Sequence, residues 1–409
     1  MSEKLAIDGG QPALTEAMRG RVPKWPVVNG ATAERLKEVY LSAEWSFNGA
    51  YEQQFGAEFA RYHGADRGVL MVNGTVTLEC ALAALGVGPG DEVIVPALTW
   101  MATAMAVLYV GATPVFVDIE PDTLCLDPAK TARAITPKTK AIIPVHLYGS
   151  MADMEALGDL ARRKGLAIIE DCAHAHGGVW AGRGVGSIGQ VGSFSFQQSK
   201  TLTCGEAGAC ITSDAVLAER LYRLKHIGYD LGSAQGKAQS SPPAGLICHN
   251  YRATEFQALI LLDGLKDLRA QTEKREASAA YLRELTAEIP GVEVQARGRR
   301  ADVQGYYVLM FLFDLKQFGG VSLGRVMEVL QAEGIGIGGT YGPVYRHALW
   351  NVGSSGYRIA EGGCPVCEEA CANRGAGMLH HWLLGDRELM EGIAKGIMKA
   401  QHQLSRNAE

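Results

Sequence analysis

Between residues 68 and 215, short apolar runs alternate with longer helical patterns, and that alternation leaves few folds open to the chain. The runs Gly68–Val72, Glu92–Pro96, Pro114–Asp118, Ala141–His146, Ala167–Asp171, Val191–Phe196 and Ala209–Thr212 read as strands. Helical patterns lie among them at Thr75–Gly86, Thr99–Tyr109 and Asp153–Lys164, with another at Ala215–His226. The runs are almost continuously apolar and rich in Val and Ile, as strands covered on both faces must be. Strand and helix in this order predict an α/β fold, with a mainly parallel seven-stranded sheet between helices.

Past Gly228 the pattern changes. Residues Asp230 to Gly245 are polar and rich in Gly, Ser, Pro and Ala, which predicts a long loop. A long helix is expected from Ala253 to about Glu288, stopped by Pro290. The remainder reads as a smaller α+β domain: strand Tyr306–Phe313, helix Leu323–Glu333, a Gly-rich strand to Thr340 and a closing helix Asp386–Leu404. The 409 residues therefore divide into an N-terminal arm (1–25), a large domain (26–265) and a small C-terminal domain (266–409).

Charge and composition narrow the function. A net charge of −5 without long runs of one sign suggests neither a nucleic-acid surface nor an anionic-membrane surface. The first residues lack the basic-then-apolar pattern of a signal peptide. The apolar stretch from Tyr306 to Phe313 is too short to span a bilayer, so a cytoplasmic protein is expected. Nine cysteines, an odd number, point to reduced thiols. Cys364, Cys367 and Cys371, with His380 and His381 nearby, could be read as a metal site. Their spacing equally suits small residues packed in a helix, and no metal is expected.

Two glycine patterns, Gly184/Gly186/Gly189 and Gly334/Gly336/Gly339, match a dinucleotide fingerprint. That fingerprint needs a strand before it and a helix after it. The first is followed by a strand and the second follows a helix, so both read as turns. Asn73-Gly74-Thr75, between the first strand and the first helix, is placed either to bind an anion with helix-terminal N–H groups or to be a plain turn and cap. Trp100, just past the second strand, could stack on a flat ring or pack between sheet and helix. Asp171 closes an apolar run and Lys200 follows another. A lysine in such a turn can form a Schiff base with an aldehyde, and a strand-end carboxylate can keep a pyridine nitrogen protonated. These are the two protein groups that pyridoxal 5′-phosphate (PLP) most needs. Ala173 leaves room for a ring on that strand end, His174 could donate to its phenolic oxygen, and Ser195 could meet its phosphate. All fall at or near strand ends, where open α/β sheets bind ligands.

Several segments together resemble the DegT/DnrJ/EryC1/StrS aminotransferases: Glu170 to Gly177, Ser193 to Phe196 with Ser199-Lys200, Gly205-Glu206, and Asn250 to Ala258. The likeness continues through Pro144–Gly149, Pro343–Arg346, Cys364-Pro365-Val366 and His380–Gly385, nearly the whole chain from about residue 25. It implies the PLP fold type I, with Lys200 as anchor and proton shuttle and Asp171 at the pyridine nitrogen. Trp100 and Ala173 would sandwich the ring. Gly74, Thr75 and Ser195 would hold the phosphate, with Asn250 reaching it from the partner subunit of a homodimer. His174 stands where many family members have glutamine. Within the family, Trp45, Leu98-Thr99-Trp100, Asp122–Asp127 and Phe196–Lys200 resemble the glutamine-dependent scyllo-inosose aminotransferases of aminocyclitol and antibiotic pathways. That resemblance implies L-glutamine, or L-glutamate, as donor and a keto-cyclitol as acceptor. A nucleotide-linked keto-sugar, or chemistry like that of the 3-amino-5-hydroxybenzoate synthases, is the alternative. His146, Tyr148, Tyr341, Tyr345 and His347 are the candidates for substrate contact.

Overall fold

The computed structural model describes residues 4–237 and 239–406; residues 1–3 of the expected arm lie outside the described residues. All seven expected strands form: β1 (Arg67–Met71), β2 (Glu92–Pro96), β3 (Thr113–Val117), β4 (Thr139–Ile142), β5 (Ala167–Asp171), β6 (Val191–Ser195) and β7 (Gly208–Thr212). They lie in the order β1-β7-β6-β5-β4-β2-β3, with a two-residue strand, Arg358–Ile359, added at the β3 edge. Only β7 runs against its neighbours, pairing antiparallel with both β1 and β6. The carboxyl ends of the other six therefore share one rim. Residues such as Ile94, Val95, Val115 and Ile169 are fully buried, as double-sided helix cover requires.

β4 ends at Ile142, short of the expected His146, because Pro144 has no N–H for the ladder. Pairing resumes beyond it, where Val145 bridges Asp171. The helix after β2 starts at Ala102 rather than Thr99. The long helix runs Glu255–Thr286, opened by a capping box in which the Thr254 hydroxyl accepts from Gln257 N–H and the Gln257 side chain reaches back. The described residues of the segment 230–245 form a loop. Asp230 ties it by accepting from the Ser240 hydroxyl and the Gln239 N–H. Among the described residues no helix is long and apolar enough to cross a membrane.

The refused glycine fingerprints are turns. Around Gly184 to Gly189 the backbone N–H groups of Gly186, Ile188 and Gly189 all donate to the buried carboxylate of Glu170, at 2.9, 2.7 and 2.6 Å. This anion nest is filled by the protein's own side chain. The second pattern leads from the helix Leu323–Ala332 into the strand Ile337–Gly339.

The small domain is a four-stranded antiparallel sheet in which Val308–Phe313 and Gly375–Leu379 are central. Helices Leu323–Ala332 and Arg387–Arg406 cover it with a second apolar core. The N-terminal segment packs on this domain through Glu333, which is fully buried. Its carboxylate accepts from Ala6 N–H and Ala13 N–H, each at 2.8 Å, and from Lys399 Nζ at 2.9 Å. Removing one partner of a buried pair strands the other's charge, which costs roughly 3–5 kcal/mol. Glu333→Leu is therefore expected to lower the thermal unfolding midpoint by several degrees and to expose the N-terminal segment to proteolysis. A calorimetric scan with limited trypsin digestion checks both.

Candidate active site

The rim formed by the carboxyl ends holds a cavity of about 470 Å³. β1 delivers Asn73, Gly74 and Thr75 to it, and β2 delivers Thr99 and Trp100. Asp171, Ala173 and His174 come from the end of β5, with Ser195 and Lys200 from the end of β6 and the turn after it.

The helix Gly74–Ala84 starts with Asn73 as its cap, the Asn73 side chain accepting from Val76 N–H at 2.9 Å. Its first turn must cross over β7 to reach the end of β6, and two glycines make the crossing possible. Gly208 of β7 pairs with both Met71 and Ser195, and a Cβ there would lie 2.5 Å from the Asn73 carbonyl carbon. A Cβ on Gly74 would lie 2.6 Å from Cβ of Ser195. Free helix-terminal N–H groups and the Ser195 hydroxyl therefore meet in one cradle, whose chemistry suits an anion.

Asp171 is buried, its carboxylate accepting from the Thr103 hydroxyl at 2.8 Å and from Ala173 N–H at 3.2 Å. Thr103 is itself linked to Thr99, hydroxyl to hydroxyl, at 2.9 Å. Burial raises the Asp171 carboxyl above its ordinary range, against the Thr103 and Ala173 hydrogen bonds and the charge of Lys200. Lys200 is buried too, and burial pulls its amine down to about 8, with Asp171 and Glu206 pulling the other way.

His174 is a neutral ring of defined tautomer. Its Nδ1 accepts from Tyr148 N–H at 3.3 Å, so the ring proton sits on Nε2, which faces the Tyr341 hydroxyl at 3.4 Å. Burial and then the Lys200 charge hold its pKa well below the usual range. Trp100 stands at the mouth, 46% exposed, its ring edge-on to Tyr341 at 5.4 Å.

Of the residues expected to contact substrate, Tyr341 lines the cavity, and His347 lies beside the mouth with its ring 6.4 Å from that of Trp100. Three others lie elsewhere. Val145 lines the cavity, so His146, the next residue of an extended segment, faces away. There its Nε2 donates to Glu170 at 3.2 Å. Tyr148 is buried behind Tyr341 and accepts its N–H. Tyr345 packs on Phe116 and donates to Glu368. Asn250 is exposed and outside this cavity. The His380 ring donates from Nε2 to the Ser199 carbonyl at 3.0 Å, so it turns toward the Lys200 turn.

Sequence reasoning missed Thr103 and Tyr307. Thr103 was legible, since it falls four residues after Thr99 on a helix that follows β2. Tyr307 arrives from the small domain, 107 residues beyond Lys200, and no local pattern marks it.

A mainly parallel sheet whose rim brings a buried lysine toward a buried carboxylate is the architecture of PLP fold type I. A crystal structure of 3-amino-5-hydroxybenzoic acid synthase superposes with a TM-score of 0.83 at 31% identity, covering 93% of this chain and 98% of that one. Residues 28–386 match the DegT/DnrJ/EryC1/StrS aminotransferase family, and the chain belongs to it. It is 39% identical to the L-glutamine:2-deoxy-scyllo-inosose aminotransferase of Streptoalloteichus tenebrarius, over 98% of each chain. It is 40% identical to the L-glutamine:scyllo-inosose aminotransferase of Streptomyces griseus, over 88% of this chain and 86% of that one.

The lowered Lys200 pKa has a direct consequence. Only the neutral amine attacks a carbonyl, so trapping of a soluble aromatic aldehyde with borohydride should rise about tenfold per pH unit up to about 8 and then level off. An ordinary lysine would keep rising to about 10.4. Mass mapping of the Lys200 peptide across pH 6 to 11 reads the difference.

Proposed function

We propose that this protein is a PLP-dependent aminotransferase that moves the amino group of L-glutamine, or L-glutamate, to a keto-cyclitol such as scyllo-inosose. The observation that carries the reading is the enclosure in one cavity of Lys200, Asp171 and the side-chain-free cradle at Gly74 and Ser195. Full-length similarity to glutamine:inosose aminotransferases supports the donor and acceptor.

The residues fit PLP. The cradle is closed to any side chain at Gly74 and offers donors, as a phosphate wants. Asp171 is a carboxylate held in a dry site where burial opposes its charge, so a protonated ring nitrogen would lower its pKa and be held by it. Gly74, Thr75 and Ser195 would hold the phosphate, Trp100 and Ala173 the ring faces, and His174 the ring oxygen. When bound, PLP supplies the electron sink that lets a proton leave the carbon bearing the amine.

Lys200 would bond through Nζ to the aldehyde carbon of the cofactor with loss of water, and when free its Nζ would be placed to take the proton from the substrate carbon. Asp171 would keep the ring nitrogen protonated, and Thr103 orients its carboxylate. Substrate acts at the mouth, where Trp100, Tyr341 and His347 present ring edges and two hydroxyl or imidazole donors to a hydroxylated ring. Donor and acceptor visit the same site in turn.

The working unit is proposed to be a homodimer in which Asn250 completes the partner's phosphate site. Its exposure outside the cavity supports this, as do the exposed apolar side chains Val28, Leu41 and Ile247 in the same chain. Mixing Lys200→Ala with Asn250→Ala chains should restore part of the activity, because some hybrid sites carry neither change. Full activity of a monomer by light scattering would reject the shared site.

Spectroscopic half-reactions test the chemistry. Glutamine should discharge the aldehyde absorbance of the protein, and scyllo-inosose should restore it. If only a nucleotide-linked keto-sugar restores it, the cyclitol is wrong and the aminotransferase reading stands. Asp171→Asn should leave the fold intact and slow the glutamine half-reaction by about a thousandfold or more, several kcal/mol of transition-state stabilisation. A near-normal rate would remove Asp171 from its role.

A further inference from the structure

Lys200 and Tyr307 meet where the two domains join. Nζ of Lys200 lies 4.3 Å from the centroid of the Tyr307 ring, within the range where a ring face attracts an ammonium. Asp171 and Glu206 act on the amine only through space. The ring is fixed on several sides. It stacks on His174 at 4.2 Å with 20° between planes. Its hydroxyl is hydrogen-bonded to Ser199 Oγ at 2.7 Å, and Ser199 Oγ is anchored in turn on Gln197 Oε1 at 2.7 Å. Its carbonyl accepts His380 N–H at 3.0 Å. Tyr307 is 6% exposed and lines the cavity, so the attraction acts in a largely desolvated place where it is strongest.

We propose that Tyr307 is a positioning residue, the seat of the free Lys200 amine: its ring face holds that nitrogen in the cavity, favouring its ammonium form, whenever it is not bonded to a carbonyl carbon. The inference rests on the reading of Lys200 as the carbonyl-bonding amine. During the cycle the lysine is released while substrate occupies its place, and a flexible four-carbon stem would otherwise let the amine wander. The seat keeps it beside the substrate carbon. Because the ring face favours the charged form, it also offsets part of the burial that makes the amine acidic.

The other groups facing Nζ are Asp171 from β5 and Glu206 from the loop after Lys200, both favouring the charge, with His174 held neutral. Asp171 and Glu206 do not touch Tyr307, and an aromatic replacement at 307 keeps the stacking on His174. Loss of the ring face should therefore lower the Lys200 midpoint, and loss of the hydroxyl alone should not.

The test uses the full-length chain free of carbonyl compounds. Competitive acetylation with acetic anhydride across pH 6 to 11, read on the Lys200 peptide by mass spectrometry, gives the titration midpoint. Tyr307→Phe should stay close to wild type, and Tyr307→Leu should fall by about one unit or more. Phenylalanines of increasing fluorination at position 307 conserve shape while draining the ring face, and should lower the midpoint step by step even if the leucine variant fails to fold. A midpoint indifferent to fluorination overturns the proposal. So does a Tyr307→Phe variant that shifts as far as the leucine one, since the hydroxyl would then be responsible. Failure of the underlying reading shows separately: borohydride would fix PLP on a lysine other than Lys200.

Discussion

The site depends on the alternation of side chains at the end of β5, where two adjacent carboxylates are buried on opposite faces of one sheet. Glu170 points to one side, where burial opposes its charge but His146 and the N–H groups of Gly189 and Gly186 outweigh it and keep its pKa low. Asp171 points to the other side with only a hydroxyl, one N–H and a distant ammonium, and its pKa is raised. One carboxylate is satisfied by the fold and the other is left wanting a cation. A one-residue slip of β5 would exchange the two and remove the chemistry.

The Lys200 turn is held by separate contacts to its backbone. Its carbonyls are gripped from outside the large domain: Trp25 Nε1 donates to the Lys200 carbonyl at 3.1 Å, and His380 donates to that of Ser199. Trp25 stands edge-on to His380 at 4.5 Å and under the buried guanidinium of Arg275 at 5.5 Å. An N-terminal residue braced by the long helix and a residue of the small domain thus converge on two adjacent backbone carbonyls. The small domain is thereby tied to the position of the amine, because Tyr307 and His380 stand at the adjoining ends of its two central strands.

Much of this was legible in the sequence because the large domain is built from local signals. Continuous apolar runs gave seven strands whose ends moved by only a few residues, and Pro144 accounts for the largest displacement. Lys200, Asp171, Gly74, Ala173 and Ser195 fall at strand ends, so the rule that parallel sheets bind ligands at their carboxyl rim gathered them in advance. His146, Tyr148 and Tyr345 were misplaced because Tyr and His are partly buried in many settings, and residue type alone does not report which face a side chain takes. For His146 the alternation with Val145 held the answer, once β4 was known to continue past Pro144.

By itself, then, the sequence determined the layer architecture and the rim, which follow from periodicity over a few residues, and it set Asp171 and Lys200 after strand-like runs, where their residue types and the family resemblance implied their roles. Only the tertiary structure decided what surrounds that pair. The crossing of the helix Gly74–Ala84 over Gly208, the grip of Trp25 and His380 on the lysine turn, and the ring of Tyr307 under its amine all join segments far apart in the chain. Such contacts are fixed by packing, where each side chain's place depends on every neighbour at once, and no local pattern encodes them.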